Sequence, residues 1–495
     1  MKLRRVFGVL CVLFLVLTGG NSFADSRPQA EFIYQWNDVL SIALRELNTF
    51  HEDPAVRSIT GDNPPRSARA MAIVHLAIFE AVNGITGTHR RFTPLRREST
   101  GPISIEAAIR EAATVTLMGL FGADGTELTR RKGLRFAGRD DILRHAPVES
   151  LIEMTWRSQE TYLNDNFSRP EVDAGKAWGA EVANYILNRR HEDGSHIDPG
   201  YEYILDDNGK PVEGAYITDK YTPEADNPPS EPGWGQVLPF AVSDIASFTN
   251  QISGPVAIDR HPGSDWMRHL DEVRILGERK RYNPDNYDGG VLPADVRHQL
   301  RTAFFWSQKG LTAEGGKSGG FPTVTPVGQW GHAATLTARD KDLSIDDAAR
   351  LFALLSVAGA DAMIAAWKVK YDHNFWRPVH AIRRGERPID ADWIPLIPTS
   401  EHPEYVSGHA ASSGAAATIL ALFFGSDSMQ ISFFGDDSLD GDDWRTFDSF
   451  RAAAEEAGRS RIYGGIHYRF STEDGLLLGR LIAEQVFADH FSAAP

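Results

Sequence analysis

Hydrophobic residues recur at helical spacing over long stretches of this chain while strand-like alternation is scarce, so the expected fold is all-α. Ser67 to Val82 reads SARAMAIVHLAIFEAV, and Ser344 to Lys370 continues the same pattern over a longer run. Ser104 opens another helix as its N-cap, because its hydroxyl can accept from a free N–H of the first turn. Ala174 to Arg189, Val296 to Trp306 and Glu473 to Phe487 add further helices. The segments 192–240 and 255–330 are rich in Pro, Gly, Asp and Asn and read as long loops, which on a helical scaffold often carry function.

One pattern repeats. Arg69-x-x-Ala72-x-x-x-x-Ala77-x-x-Glu80-Ala81 returns as Arg350-x-x-Ala353-x-x-x-x-Ala358-x-x-Asp361-Ala362. Two readings stand: related helical bundles packed against each other, or coincidence among alanine-rich helices. With 495 residues the chain can bury a large core, and its 42% hydrophobic and 24% charged residues exclude wholesale disorder. The expected organisation is a leader at 1–24, a helical bundle over 25–250 and a second bundle over 251–495 that carries the functional site, the two sharing one body.

The N-terminus reads as an address. Lys2, Arg4 and Arg5 precede an apolar run from Val6 to Leu17 and the small-residue pattern Ser22-Phe23-Ala24, as in a secretory signal peptide cleaved after Ala24. The run is short for a bilayer span, so a secreted or periplasmic chain without a stable membrane anchor is expected. Cys11, the only cysteine, would leave with it, and the remaining chain would have no thiol for a disulfide or a thiolate metal site. Cleavage would remove three cations and move the net charge from -16 to -19, which disfavours nucleic acid or an anionic membrane as a partner. Any anion site must therefore be built locally. A homo-oligomer is left open.

Three segments gather basic and imidazole side chains against this acidic background. The first is Lys370-Tyr-Asp-His-Asn-Phe-Trp-Arg377-Pro378, where Pro378 places Arg377 at a helix end. The second is Ser407-Gly408-His409 ahead of an alanine-rich helix, whose N-terminal N–H groups and dipole favour an anion. The third is Ser460-Arg461-Ile-Tyr-Gly-Gly-Ile-His467. A tetrahedral or trigonal-bipyramidal oxyanion calls for these types. Guanidinium forks and an ammonium neutralise its oxygens, a hydroxyl and an N–H complete the shell, one imidazole attacks or coordinates, and a second moves a proton.

Taken in order, Lys-x6-Arg-Pro, Ser-Gly-His and Ser-Arg-x5-His resemble the shared signature of the vanadium-dependent haloperoxidases and the phosphatidic-acid-phosphatase-type acid phosphatases. Looser matches at Thr325 to Trp330 and Ala177 to Gly194 resemble its soluble, secreted bacterial members. The resemblance implies that His467 bonds vanadate, or accepts a phosphoryl group in a phosphatase. It implies that His409 is the acid–base group, that Lys370, Arg377 and Arg461 hold the equatorial oxygens, and that Ser407 and the Gly408 N–H complete the shell.

The same cage serves vanadate and phosphate. Trp367, one turn before Lys370, and His402, seven residues before His409, are similar to positions found in haloperoxidases, and His402 resembles members that oxidise bromide or iodide. The resemblance thus implies a haloperoxidase that uses hydrogen peroxide and halide, bromide or iodide rather than chloride, at a His-bound vanadate. The alternatives are a secreted acid phosphatase forming a phosphohistidine from phosphate monoesters, and a non-catalytic phosphate-binding protein. One position departs from the pattern: relatives commonly carry Asp four residues after the last His, where this chain has Ser471. Asp474, one turn further on, is expected to take its place beside His467. The acidic run 436–443 has a calcium-loop flavour, but the twelfth position is Phe447, so an EF-hand is excluded and a solvated loop is expected. His75, His373 and His380 read as packed or capping residues, and Trp234, Trp330 and Trp376 as packing groups.

Overall fold

The computed structural model describes residues 28–50, 64–121, 139–218, 229–307, 326–384, 388–435 and 444–494. The leader-like residues 1–24, Thr325 and the acidic run 436–443 lie outside them. Among the described residues the helices in chain order are α1 (Pro28–Phe50), α2 (Pro64–Thr86), α3 (Ile105–Phe121), α4 (Arg139–Asn166), α5 (Arg169–His191), α6 (Ile245–Thr249) and α7 (Asp265–Leu276). They continue as α8 (Ala294–Phe305), α9 (Pro326–Asp340), α10 (Ile345–His373), α11 (Pro378–Arg383), α12 (Gly408–Phe424), α13 (Phe450–Tyr463) and α14 (Arg469–Asp489). The fold is all-α. Its one sheet, among these residues, is an antiparallel pair of short strands, β1 (Ile431–Phe434) and β2 (Trp444–Phe447).

The expected helices are present, and their caps account for the starts. Ser104 Oγ accepts from Ala107 N at 3.1 Å, and Ser344 Oγ from Asp347 N at 3.1 Å, each relieving a free N–H. Asn374, left-handed at φ 49°, ends α10 and turns the chain towards Arg377, which caps α11 with Pro378 in its first turn. One helix went unread in the loop-like stretch 255–330. α7 lies there, capped by Ser264, and it buries Trp266, Leu270 and Val273 on one face. Its polar composition and flanking glycines hide that apolar stripe in the sequence.

Helices α2 and α10, which carry the repeated Arg…Glu/Asp-Ala pattern, pack on each other at the centre of the molecule. Each is long and apolar enough to cross a bilayer, yet each is buried along most of that window by other helices. The echo extends to their acidic residues. Glu80 is buried and accepts the Phe92 and Thr93 N–H groups, while Asp361 is buried and accepts those of Phe240, Ala241 and Val242. Two crossing pairs repeat as well. α3 meets α5 through Gly175 and Gly179, and α12 meets α14 through Gly475 and Gly479. In both, the capping serine donates its N–H across the crossing at 3.1 Å, Ser104 to Glu171 O and Ser407 to Ser471 O. The apolar core runs without a break from Phe32 on α1 to Phe491 after α14. Trp234, Trp330 and Trp376 are buried in it, as expected of packing residues.

Two predictions follow from this packing. A Cβ at Gly479 would overlap the Ala411 carbonyl oxygen, backbone that cannot easily yield. Gly479→Ala should therefore lower stability by about 1–3 kcal/mol in denaturant unfolding, despite a propensity gain of roughly 1 kcal/mol. A more stable variant would contradict so close a crossing. His75 is buried, 3.0 Å from Asn37 and stacked on Phe352, and burial holds its pKa down to about 3. Below its unfolded pKa of about 6.5 the unfolded chain takes a proton that the folded chain refuses, so stability falls with pH through that window. Between pH 7 and 5, His75→Gln should lose less unfolding free energy than the wild type by about 2 kcal/mol.

Candidate functional site

Lys370 lies in the last turn of α10 with its side chain fully buried. Its Nζ donates to the carbonyls of Pro403 at 2.9 Å, Glu404 at 3.0 Å and Val406 at 2.5 Å. Burial holds its pKa well below the ordinary lysine value, with Arg377 adding to the depression and Glu404 opposing it. Three carbonyls match the three protons of an ammonium. Lys370 thus pins the loop 402–406, and reaching an oxyanion would require it to release one of these carbonyls.

Arg377, also fully buried, joins three segments. Its Nε donates to His402 O at 2.9 Å, and its Nη1 to Ile466 O at 2.8 Å. Nη1 further lies 3.1 Å from His467 Nε2, and Nη2 lies 2.9 Å from His402 Nδ1. A guanidinium only donates, so both imidazole nitrogens are acceptors here.

His467 is buried between Arg377 and Glu404, whose Oε1 is 2.7 Å from its Nδ1. The proton therefore sits on Nδ1, and Nε2 presents its lone pair to the cage. Burial keeps the imidazole well below its usual pKa, and the cations Arg377 and Lys370 act in the same direction, so the ring is neutral. Burial pushes Glu404 up to about 7 against the pull of Arg377 and Lys370. Asp474 does not take the expected place. Its carboxylate accepts from the Tyr405 hydroxyl at 2.6 Å, because one further helical turn carries it past the imidazole. Ser471 does face the ring, with Oγ 3.4 Å from Nδ1.

Ser407 caps α12 by accepting from Ala410 N at 3.3 Å. A Cβ on Gly408 would press on the Trp367 ring at 3.1 Å, so the glycine lets that indole cover the helix start. His402 lies 4.8 Å from the same ring, and Lys370 Nζ 5.6 Å from it, which brings the expected Trp367 and His402 to the cage. The remaining two basic groups meet the end of α8. His409 is partly buried with Nε2 3.1 Å from Trp306 O, and buried Arg461 donates through Nη2 to Ala303 O at 3.3 Å. These carbonyls lie at the C-terminal end of α8, where the helix dipole favours cations. Arg461 Nε also donates to Ser460 Oγ at 2.9 Å, whereas Nη1 meets no protein acceptor among the described residues. Burial lowers its pKa to about 9.

The three basic segments, spread over residues 370–467, therefore converge on one buried cluster of donors around the lone pair of His467. Such a cluster fits an oxyanion: His467 could supply the bond, and Arg461 and the α12 N-terminus offer donors not consumed among the described residues. Glu404 and the two α8 carbonyls were not singled out in the sequence. A buried acid between Pro403 and Tyr405, three residues before the capping Ser407, was the available signal.

Residues 350–493 match the family described as the VCPO second helical-bundle domain. The chain is 31% identical over 170 residues to the vanadium chloroperoxidase of Curvularia inaequalis, a match covering 25% of this chain and 28% of the relative's length. In structure it is similar to the first bacterial vanadium-dependent iodoperoxidase, with TM-score 0.68 and 25% identity over 94% of this chain and 97% of that one. An apo-type bacterial vanadium-dependent chloroperoxidase shares the fold at TM-score 0.58 and 16% identity, over 85% of this chain and 92% of the other.

Arg461→Ala should weaken binding of orthovanadate or phosphate, measured by calorimetry, about 10- to 100-fold, the worth of one charge-assisted hydrogen-bonding group. Unchanged affinity would remove Arg461 from the anion shell.

Proposed function

We propose that the chain, whose residues 350–493 match the VCPO second helical-bundle domain, is a vanadium-dependent haloperoxidase that oxidises bromide or iodide with hydrogen peroxide. The observation that carries this reading is the neutral His467, whose Nε2 lone pair faces the cage and accepts from Arg377, a hydrogen bond that a bound oxyanion would replace. That is the protonation state a coordinating imidazole needs. His467 would hold vanadate through Nε2, Arg377 and Arg461 would neutralise its oxygens, Lys370 would join them by releasing one of its three carbonyls, and Ser407 and the Gly408 N–H would complete the shell. Bound there, vanadate supplies a Lewis-acidic centre that activates peroxide towards halide.

The chain's own residues do the rest. Nη1 of Arg377 spans Ile466 O and His467, so the imidazole and the guanidinium are held in one geometry. His409, with its Nε2 proton directed to Trp306 O, has Nδ1 as its basic atom and takes or returns a proton there. His402 beside Trp367 supports bromide or iodide, since it puts an imidazole against the rim of the cage. The leader-like residues 1–24 support action outside the cytoplasm.

Purified protein should brominate monochlorodimedone with peroxide only after orthovanadate is added, and His467→Ala should bring the rate to background. No bromination or iodide oxidation with vanadate, together with vanadate-inhibited hydrolysis of nitrophenyl phosphate, would make the protein a phosphatase acting through the same His467. Phosphate binding with neither activity would leave a binding protein.

A further inference from the structure

We infer that Glu404, on the loop before α12, is the positioning residue of His467, in the place that the sequence resemblance gave to Asp474. The inference rests on the reading of His467 as the residue that bonds the oxyanion. It adds which group orients that imidazole and why this chain can carry Ser471.

The geometry is specific to Glu404. Its side chain is fully buried, and Oε1 accepts both His467 Nδ1–H at 2.7 Å and the Tyr468 N–H at 3.0 Å. The residue is fastened by its backbone as well. Its carbonyl accepts from Lys370 at 3.0 Å, and its N–H donates to Phe375 O at 2.8 Å. The backbone that carries the carboxylate is thus fastened by the same ammonium that pins the cage loop. A carboxylate on the far nitrogen of a coordinating imidazole sets the tautomer, restrains ring rotation and raises the basicity of the coordinating nitrogen.

Position 471 explains the exchange. Ser471 is buried, and its Oγ already lies 3.4 Å from His467 Nδ1. An aspartate there would reach the same proton, and two buried carboxylates would then compete for one Nδ1–H with like charges in contact. The small serine leaves room for Glu404. Asp474 is committed to Tyr405 and cannot serve. The chain therefore holds one acid for this imidazole, moved from the helix that follows His467 to a loop 63 residues before it.

The test measures orthovanadate affinity and the His467 tautomer, neither of which depends on turnover. Glu404→Gln, close in shape but uncharged, should weaken vanadate binding about 10- to 100-fold while the thermal transition stays near that of the wild type. Glu404→Ala should weaken it at least as much, and adding Ser471→Asp to Glu404→Ala should recover most of the loss. Ser471→Asp alone should destabilise the fold, because both acids are then present. Histidine-selective ¹⁵N spectra of the wild type should show His467 protonated at Nδ1 with a non-protonated Nε2, and Glu404→Gln should shift both signals. Wild-type affinity in Glu404→Gln, no recovery in a folded double variant, or a wild-type His467 protonated at Nε2 would each overturn the inference. Should the alanine or double variant fail to fold, the spectra and Glu404→Gln decide. A protein with these results but no halide oxidation would keep the role of Glu404 and lose only the proposed activity.

Discussion

The buried ammonium of Lys370 and the three carbonyls it holds form the interaction on which the site depends. A lone cation in the interior is costly, and here its protons are answered by backbone oxygens of Pro403, Glu404 and Val406 rather than by a carboxylate. The arrangement spends the charge on shaping a loop. That loop carries His402, Glu404 and the capping Ser407, so one side chain at the end of α10 sets the positions of three groups on a different segment. Arg377 extends the scheme by tying the same loop to Ile466 and His467. These two cations reinforce the direct links that Glu404 and Ser407 make between the loop before α12 and the start of α14.

The paired helix crossings show how the scaffold supports this. Gly175 and Gly179 on α5, like Gly475 and Gly479 on α14, let a neighbouring helix approach to backbone contact. Only the second pair carries a functional cluster at its end. In the first, Glu106 follows Ser104 where His409 follows Ser407, and Ser104 donates to that glutamate at 3.1 Å. A carboxylate beside the helix start answers the dipole internally and repels an oxyanion. Shared packing and divergent side chains therefore coexist on one core, and the proposed anion site lies at the crossing beside Arg377, Arg461 and His467.

Helix α8 plays a part that its sequence does not advertise. In sequence it is an ordinary helix within a loop-rich stretch, yet carbonyls at its C-terminal end receive Arg461 and His409. Those contacts direct two basic groups without adding a second acid to the cage. The proposed anion site would be built in this way in a chain of net charge -16, by answering the cations with neutral carbonyls and keeping carboxylates to the one on His467.

Sequence alone determined the all-helical character, because hydrophobic spacing and caps such as Ser104, Ser344 and Ser407 act within a few residues of chain. It also determined the chemical types of the cage, since three basic segments stood out against an acidic background. It placed Trp367 and His402 near the site through their resemblance to known positions. What it could not determine were partners chosen across distance. It assigned Asp474 to His467 because Asp474 was close in sequence, whereas the fold supplies Glu404 from 63 residues away and sends Asp474 to Tyr405. The tautomer of His467, the three carbonyls that occupy Lys370 and the α8 contacts of Arg461 and His409 belong to the same class. Capping and periodicity are local and leave a trace in neighbouring letters. A hydrogen bond between buried groups far apart in the chain depends on the packed positions of both, and only the tertiary structure decides those.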